Sequence, residues 1–170
     1  MKPKTAPLPA SELIELLFFA YRDFISDPDT ILQDIGFGRA HHRVMHFVDR
    51  KPGLTVAELL DLLKITKQSL ARVLKQLVDA GYVEQKPGPE DRRQRELYLT
   101  GKGQGLIRDL REPQSRRIMA ALEQSGCSQD EIARFLLAML TGNAKEQITM
   151  LNAARGGTGS ATADGDGELS

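Results

Sequence analysis

The sequence lacks the features that characterise secreted, disulfide-stabilised and membrane-spanning proteins. Its 170 residues include one cysteine, which cannot form an internal disulfide, so a reducing cytoplasm is expected. No stretch approaches the roughly 20 consecutive apolar residues that a membrane-spanning helix needs. Residues 1–4 are basic, but no apolar segment with a small-residue cleavage site follows them closely, so we expect no secretory signal. The length fits one domain, and a hydrophobic content of 41% is enough for a core.

Motifs of the common enzyme classes are also missing from the sequence. It contains no nucleophile beside a general base, no glycine-rich phosphate loop followed by Lys and Ser or Thr, and no paired carboxylates that stand out. The sequence therefore predicts a protein that is not an enzyme and that has no cofactor.

A net charge of zero conceals a local excess of positive charge. Over residues 64–95, eight Lys and Arg residues accompany four Asp and Glu residues, a balance of +4, whereas the whole chain has 23 of each sign. Local positive charge indicates a partner that docks locally, and phosphate is the obvious candidate. On charge alone, the solvated face of an ordinary helix and hairpin is an equal alternative.

Residues 66–100 predict a helix followed by a β-hairpin. From Leu70 to Val78, apolar residues recur at i, i+3, i+4, i+7 and i+8, which places them on one stripe of a helix. Thr66 can cap this helix, and Gly81 can end it in a left-handed conformation. Residues 82–86 and 95–99 predict short strands, with a turn or loop at PGPED between them. The polar side of the helix carries Lys67, Gln68, Ser69, Arg72, Lys75 and Gln76.

The preceding residues predict two further helices. Gly36 and Gly38 break the chain before a helix over residues 39–50, which Pro52-Gly53 stops. Thr55 and Glu58 form a capping box that opens a helix through residue 63. A helix, a tight turn, a second helix with a polar outer face and a hairpin together indicate a winged helix-turn-helix. The predicted fold class is therefore mainly α with a small β-hairpin wing, α+β.

The segments on either side of this core predict further helices. Residues 11–25, with Ser11 as cap, are apolar nearly all round, which favours a subunit interface over a membrane-surface helix because a Lys/Arg face is missing. A long helix follows Thr100, and we expect a kink or break near residues 111–112 because Pro113 removes a backbone bond. Ser128 and Glu131 form another capping box, and the last helix is predicted to run to about residue 152.

These elements define five segments along the chain. They are a flexible arm at 1–10, an N-terminal interface helix and linker at 11–35, the winged helix-turn-helix at 36–100, C-terminal helices at 101–154, and a tail at 155–170 that is rich in Gly, Ala and Ser and predicted to be disordered.

Residues 39–103 resemble the DNA-binding core of the MarR family of bacterial winged-helix regulators. The resemblance is carried by the pieces LTVAELL and DAGYVE and by a wing signature that consists of Asp91, Arg93, Leu99, Thr100, Lys102 and Gly103. Within the family, the sequence is most similar to the proteobacterial PetP-like branch.

The resemblance implies a homodimer that binds duplex DNA. The first and last helices of two subunits would interlock and present two winged-helix lobes to half-sites about 34 Å apart on an inverted repeat. The side chains implied to contact DNA are Thr66, Lys67, Gln68, Ser69, Arg72, Lys75, Arg92, Arg93 and Arg95. The helix would enter the major groove, and the wing arginine Arg93 would reach the minor groove while Asp91 holds its guanidinium.

Several alternatives stay open for ligands and for function. His42 and His46 lie one helical turn apart, but with His41 they are the only histidines, so a metal site would need Cys127 or carboxylates, and we favour packing or surface histidines. Peroxide-sensing relatives carry a reactive cysteine in the first helix, where this chain has none, so a passive Cys127 is favoured. A small effector would bind between the dimer helices and a lobe. An architectural DNA binder and a protein-interaction module are the alternative functions.

Overall fold

The computed structural model describes residues 7–156. The described chain contains eight α-helices and three β-strands, which are α1 (Ala10–Ser26), α2 (Asp29–Asp34), α3 (Arg39–Arg50), β1 (Leu54–Thr55), α4 (Val56–Leu63), α5 (Lys67–Asp79), β2 (Val83–Pro87), β3 (Arg95–Leu99), α6 (Gly101–Ser125), α7 (Gln129–Met139) and α8 (Ala144–Gly156). The predicted arm and tail fall largely on residues 1–6 and 157–170, which lie outside the described residues.

The hydrophobic core is formed by α3, α4, α5, the sheet and the start of α6. Apolar side chains from each of these elements are almost completely excluded from solvent, among them Val44, Met45, Leu59, Leu77, Leu97 and Leu110, each at 0% exposure. The spacing of these residues follows helix and strand periodicity, so the same pattern that predicts each element also supplies its buried face. The winged helix-turn-helix that the sequence predicts is present, and its helices and sheet supply most of this core.

The hairpin is part of a three-stranded antiparallel sheet in the order β1-β3-β2. Strands β2 and β3 form the predicted hairpin and pair from Val83 opposite Leu99 to Pro87 opposite Arg95, so β2 lies one residue later than the predicted 82–86. Strand β1 adds a pairing that the sequence does not predict, with Leu54 opposite Leu97. Strand β1 has only two residues, which are too few to show the alternating pattern of a strand. The backbone N–H of Gly53, just before β1, donates to the carbonyl of Leu97 at 2.9 Å and extends the pairing with β3.

The helix termini follow local capping signals in most places. Thr55 and Ser128 each accept from the backbone N–H three residues later and form the predicted capping boxes. The predicted Ser11 cap is wrong, because α1 begins after Pro9, which offers no side-chain acceptor. Proline is favourable in the first turn of a helix but supplies no cap of its own.

Two predictions about the C-terminal helices are corrected by the structure. Helix α6 continues through Pro113, so the break expected near residues 111–112 does not occur. The predicted single last helix is instead divided into α7 and α8, because Leu140 is extended and Gly142 adopts a left-handed conformation with φ +60°. The short helix α2 also occupies what the sequence predicted to be a linker.

A large apolar surface lies outside the core. Helices α1 and α7 contain no buried residue. Most of their large apolar side chains, together with two from the second half of α6, are between 37% and 69% exposed. We refer to this set as the apolar surface, and its members are Leu13, Ile14, Leu16, Leu17, Phe18, Phe19, Tyr21, Ile118, Met119, Ile132, Phe135, Leu136, Leu137 and Met139. No described helix is both long enough and apolar enough to cross a membrane.

Helix α8 packs back onto the core of its own chain. The amides of Asn143 and Gln147 donate to the Asp61 carboxylate at 3.1 and 2.7 Å, and Arg50 donates to Asn152 Oδ1 at 2.7 Å. These hydrogen bonds join α8 to α4 and α3. The last described helix therefore contacts the helix-turn-helix as well as continuing the C-terminal helices.

Candidate nucleic-acid interface

Helix α5 presents one buried face and one polar face. Thr66 caps it, since its hydroxyl accepts the backbone N–H of Ser69 at 3.1 Å. Leu70 and Leu77, with Val73 and Leu74, are at most 4% exposed and fix the helix against the core. The predicted contact residues all lie on the exposed side, namely Thr66, Lys67, Gln68, Ser69, Arg72 and Lys75.

The wing, which consists of β2, β3 and residues 88–94 between them, has a tightly folded tip. Gly88 N–H donates to the Gln94 carbonyl and Gln94 N–H donates to the Asp91 carbonyl, both at 3.0 Å. A Cβ atom on Gly88 would lie 2.9 Å from that Asp91 carbonyl oxygen, so the turn requires glycine there. The tip exposes Arg92, Arg93 and Arg95 to solvent.

Asp91 supports the wing through the backbone rather than through a guanidinium. Its Oδ1 accepts the backbone N–H of Arg93 at 2.9 Å, two residues along the chain. This is the reach of an Asx turn, in which a short carboxylate satisfies a backbone donor nearby. The expected contact with the Arg93 guanidinium does not occur, because no ion pair between these two residues is present in the described structure. The guanidinium remains available to a partner.

Ion pairs within the chain neutralise three of the eight basic residues over residues 64–95. Lys64, Lys75 and Lys86 each form an ion pair with a nearby carboxylate, those of Asp61, Asp79 and Glu84 respectively. The other five basic residues, Lys67, Arg72, Arg92, Arg93 and Arg95, have no carboxylate within ion-pairing distance among residues 7–156. The unpaired positive charge is thus confined to the first turns of α5 and the wing tip, where it can meet an external anion.

The residues that follow the hairpin attach the wing to the end of α5. The Thr100 hydroxyl donates to the Gly81 carbonyl at 2.6 Å, and the Lys102 ammonium donates to the Ala80 carbonyl at 2.9 Å. The same ammonium lies 4.2 Å from the centroid of the Tyr82 ring. These contacts satisfy carbonyls at a helix C-terminus, which favours positive charge. The Leu-Thr and Lys-Gly pairs of the wing signature therefore hold the orientation of α5, the wing and α6.

Gly103 allows α6 to approach the hairpin closely. It is buried in the first turn of α6, and a Cβ atom at this position would lie 2.1 Å from the Tyr82 carbonyl oxygen. Real carbon–oxygen contacts are about 3.3–3.6 Å. Only glycine fits, so the signature glycine has a packing role that spacing alone does not reveal.

The histidines occupy two different environments. His41 is 9% exposed and contacts α5, where its Nε2 lies 2.9 Å from Gln76 Oε1. The pKa of His42 is lowered, mainly by burial, and that of His46 is lowered to about 4 by burial and then by His42 and Arg111. His42 is partly buried, whereas His46 is exposed to solvent at one edge of the same helix. No group of three potential metal ligands occurs anywhere in the described chain.

Two cavities adjoin His42 and His46 between α1, α3 and α6. Their volumes are about 320 and 260 Å³, and both are also lined by Phe24 and Gln114. Arg111 of α6 pairs with Asp49 of α3 at the wall of the larger cavity. Cys127 lies elsewhere, partly exposed beside α6, and its backbone N–H donates to Ser125 Oγ at 3.2 Å.

Comparison with known proteins identifies relatives for most of the chain. The model of the MarR family matches residues 35–94. The HTH-type transcriptional regulator PetP of Rhodobacter capsulatus is 53% identical over 113 residues, which cover 66% of this chain and 68% of that protein.

Solved structures with the same fold include two forms of MarR from E. coli. Its apo form matches with a TM-score of 0.56 at 22% identity and covers 78% of this chain and 96% of that chain. A mutant MarR in complex with operator DNA matches with a TM-score of 0.57 at 22% identity, over 75% and 91% of the two chains. These similarities confirm the predicted fold class, mainly α with a winged helix-turn-helix.

Proposed function

The chain belongs to the MarR family of transcription regulators, and from that premise we propose that it binds an inverted-repeat operator as a homodimer. The resemblance to this family and to its PetP-like branch is confirmed by the relatives described above. The observation that carries the proposal is the placement of five unpaired cations on the exposed side of α5 and at the wing tip.

The proposed docking follows from the shapes of these two elements. An α-helix fits the major groove of B-DNA, so the start of α5 would bring Gln68, Ser69 and Arg72 to base edges or adjacent phosphates. Thr66 and Lys67 at its N-terminus would contact phosphate. Arg93 would enter the minor groove, where a narrow A·T-rich segment attracts a guanidinium. Arg92 and Arg95 would bind phosphates on either side.

The roles of Lys75 and Asp91 depend on contacts within the chain. Lys75 is paired with Asp79, so it would have to leave that carboxylate to reach a phosphate. Surface pairs of this kind contribute little, about 0.3–0.5 kcal/mol, and phosphate can compete for the lysine. Asp91 would support the wing by fixing the backbone of Arg93.

The apolar surface supports a second copy as the partner of α1 and α7. Exposed apolar patches of this extent are unfavourable in water, and helices apolar nearly all round become stable when covered. A twofold axis through this surface would bury α1 of each subunit against the C-terminal helices of the other. The two copies of α5 would then face the same side and reach half-sites one duplex turn apart, about 34 Å.

A small effector, if one acts on this protein, would bind in the cavities between α1, α3 and α6. A ligand there would contact α1, which carries part of the apolar surface, and α3, the first helix of the winged helix-turn-helix core. If the ligand binds more tightly to a dimer with one spacing between the two winged-helix lobes than to a dimer with another, it shifts the dimer to that spacing. The spacing then decides how well the two copies of α5 fit both half-sites. The same docking serves repression and activation, and a regulator of this kind acts in the bacterial cytoplasm without enzymatic activity.

Selection of bound duplexes from a genomic pool tests the proposal. A specific regulator should enrich one inverted repeat and prefer it to random duplex by about 10³-fold or more at physiological salt. Equal affinity for all duplexes would identify an architectural binder, and no duplex binding would favour a protein-interaction module. Sedimentation of the same sample tests the dimer. Phe18→Asp should yield monomers, whereas Arg108→Asp, on an exposed part of α6, provides the control.

A further inference from the structure

His41 makes two directional hydrogen bonds from one buried ring. Its Nδ1 accepts the backbone N–H of Gly38 at 3.1 Å, which caps α3. Its Nε2 lies 2.9 Å from Oε1 of Gln76, on α5. The ring is stacked on Phe37, with centroids 4.5 Å apart and planes inclined by 6°. The imidazole is therefore held in position from three sides.

These contacts determine where the protons are. Because Nδ1 accepts from Gly38, it carries no hydrogen, and the neutral ring has its proton on Nε2. Nε2–H must then donate to Gln76, which requires the amide oxygen of Gln76 to face His41. The reversed amide would place two donors against each other. The –NH₂ group of Gln76 consequently points away from His41.

We propose that His41 is a positioning residue for DNA recognition, because it turns the amide of Gln76 so that its –NH₂ group is offered to a hydrogen-bond acceptor on the duplex. This inference rests on the proposed function. Gln76 is exposed on the polar side of α5, one helical turn after Arg72. The two side chains thus lie on one line along the groove-facing side of the helix.

The fixed amide restricts what Gln76 can recognise. A free glutamine can bind adenine with both amide atoms, accepting from N6 and donating to N7. With its oxygen turned toward His41, Gln76 acts as a donor, so its partner must be an acceptor. The acceptors that a duplex offers are phosphate oxygens and, in the major groove, O6 and N7 of guanine, O4 of thymine and N7 of adenine.

Two substitutions of His41 separate positioning from helix capping. His41→Gln places an amide N–H near the position of Nε2, so it keeps the donor to Gln76 and loses the acceptor for Gly38. His41→Asn places an oxygen near Nδ1, so it keeps the α3 cap and loses the contact with Gln76. If His41 acts through Gln76, His41→Asn should weaken binding to the selected operator duplex by about 3- to 10-fold, and His41→Gln should bind nearly as the wild type does.

A double-mutant cycle with Gln76→Ala completes the test. Gln76→Ala alone should weaken binding by a similar factor, and His41→Asn should have no further effect in that background. Gln76 is exposed on a helix, so its alanine variant keeps the fold and tests the proposal even if a His41 variant does not fold. Thermal melting of each variant measures stability separately from DNA affinity.

The outcomes distinguish this inference from the proposed function. Failure of the wild type to prefer any selected duplex over random duplex contradicts the proposed function itself. If the wild type is specific, then unchanged affinity in Gln76→Ala, or a full effect of His41→Asn in the Gln76→Ala background, overturns the role of His41. Loss that is uniform over single-base operator variants identifies a phosphate oxygen as the acceptor, and loss confined to one or two positions identifies a base edge; either result supports the proposal.

Discussion

Replacing Gly103 by alanine should destabilise the protein, although the same change two residues later in α6 should stabilise it. At Gly103 the added Cβ would lie 2.1 Å from the Tyr82 carbonyl oxygen. Relief of this contact requires a backbone shift of about 1 Å or more to reach an ordinary separation. At Gly105 the nearest atom is the end of the Arg108 side chain at 4.0 Å, so alanine fits.

The expected magnitudes differ in sign. The Tyr82 carbonyl accepts the backbone N–H of Thr100 at 3.1 Å, so moving it strains the start of α6 and the base of the wing together. Overpacking of this kind costs about 1–3 kcal/mol, and a weakened hydrogen bond adds about 1 kcal/mol. Both alanines gain up to about 1 kcal/mol of helix propensity. The net expectation is a loss of about 1–3 kcal/mol for Gly103→Ala and a gain of up to about 1 kcal/mol for Gly105→Ala.

Urea unfolding at one fixed protein concentration measures both free energies of unfolding. In thermal melts, Gly103→Ala should lower Tm by roughly 2–12 °C, because 1 kcal/mol shifts Tm by about 2–4 °C at this chain length. Gly105→Ala should raise Tm slightly. If Gly103→Ala were as stable as the wild type, or if both variants shifted in the same direction by the same amount, the close approach of α6 to the hairpin would be refuted.

Three further predictions concern DNA binding and pH. Arg93→Ala should reduce the slope of log affinity against log salt by about one, whereas Arg108→Ala should not; an unchanged slope would remove Arg93 from the interface. Arg72→Ala should alter base preference at one or two operator positions, and a uniform loss over all duplexes would make Arg72 a phosphate contact. The pKa of His46 is lowered to about 4, so its protonation favours the unfolded chain, and stability should fall as pH drops from about 6.5 towards 4. His46→Gln should flatten that decline in urea unfolding measured across this range. Because His46 is exposed in the structure, the change should be much smaller than for a buried ring.

Local signals in the sequence predict much of the fold. The stripe from Leu70 to Val78 predicts α5, and the capping residues Thr55, Thr66 and Ser128 predict where three helices begin. Each signal is confirmed because it depends on groups three or four residues apart, whose geometry is set by the helix itself. The sequence also shows that α1 is apolar nearly all round. In the structure of the single chain, α1 has no buried residue.

Local signals fail where a competing local preference is overlooked. The apolar spacing of the last helix continues past Leu140, yet Gly142 turns the chain in a left-handed conformation and begins a new helix. Pro113 is the opposite case, because the many remaining hydrogen bonds of α6 hold the helix together around one missing donor. At Gly142 the tendency of glycine to turn the chain outweighs the helical pattern, whereas at Pro113 the hydrogen bonds of the helix outweigh the missing donor.

The sequence by itself determined helix α5, the wing and the excess of positive charge over residues 64–95, because periodicity and charge are properties of short stretches. Only the tertiary structure decided which of those cations stay unpaired, why Gly103 must be glycine, and that β1 joins the sheet. It alone brings His41 to Gln76, thirty-five residues away. Such contacts depend on how helices and strands pack in three dimensions, and no spacing within one element encodes them.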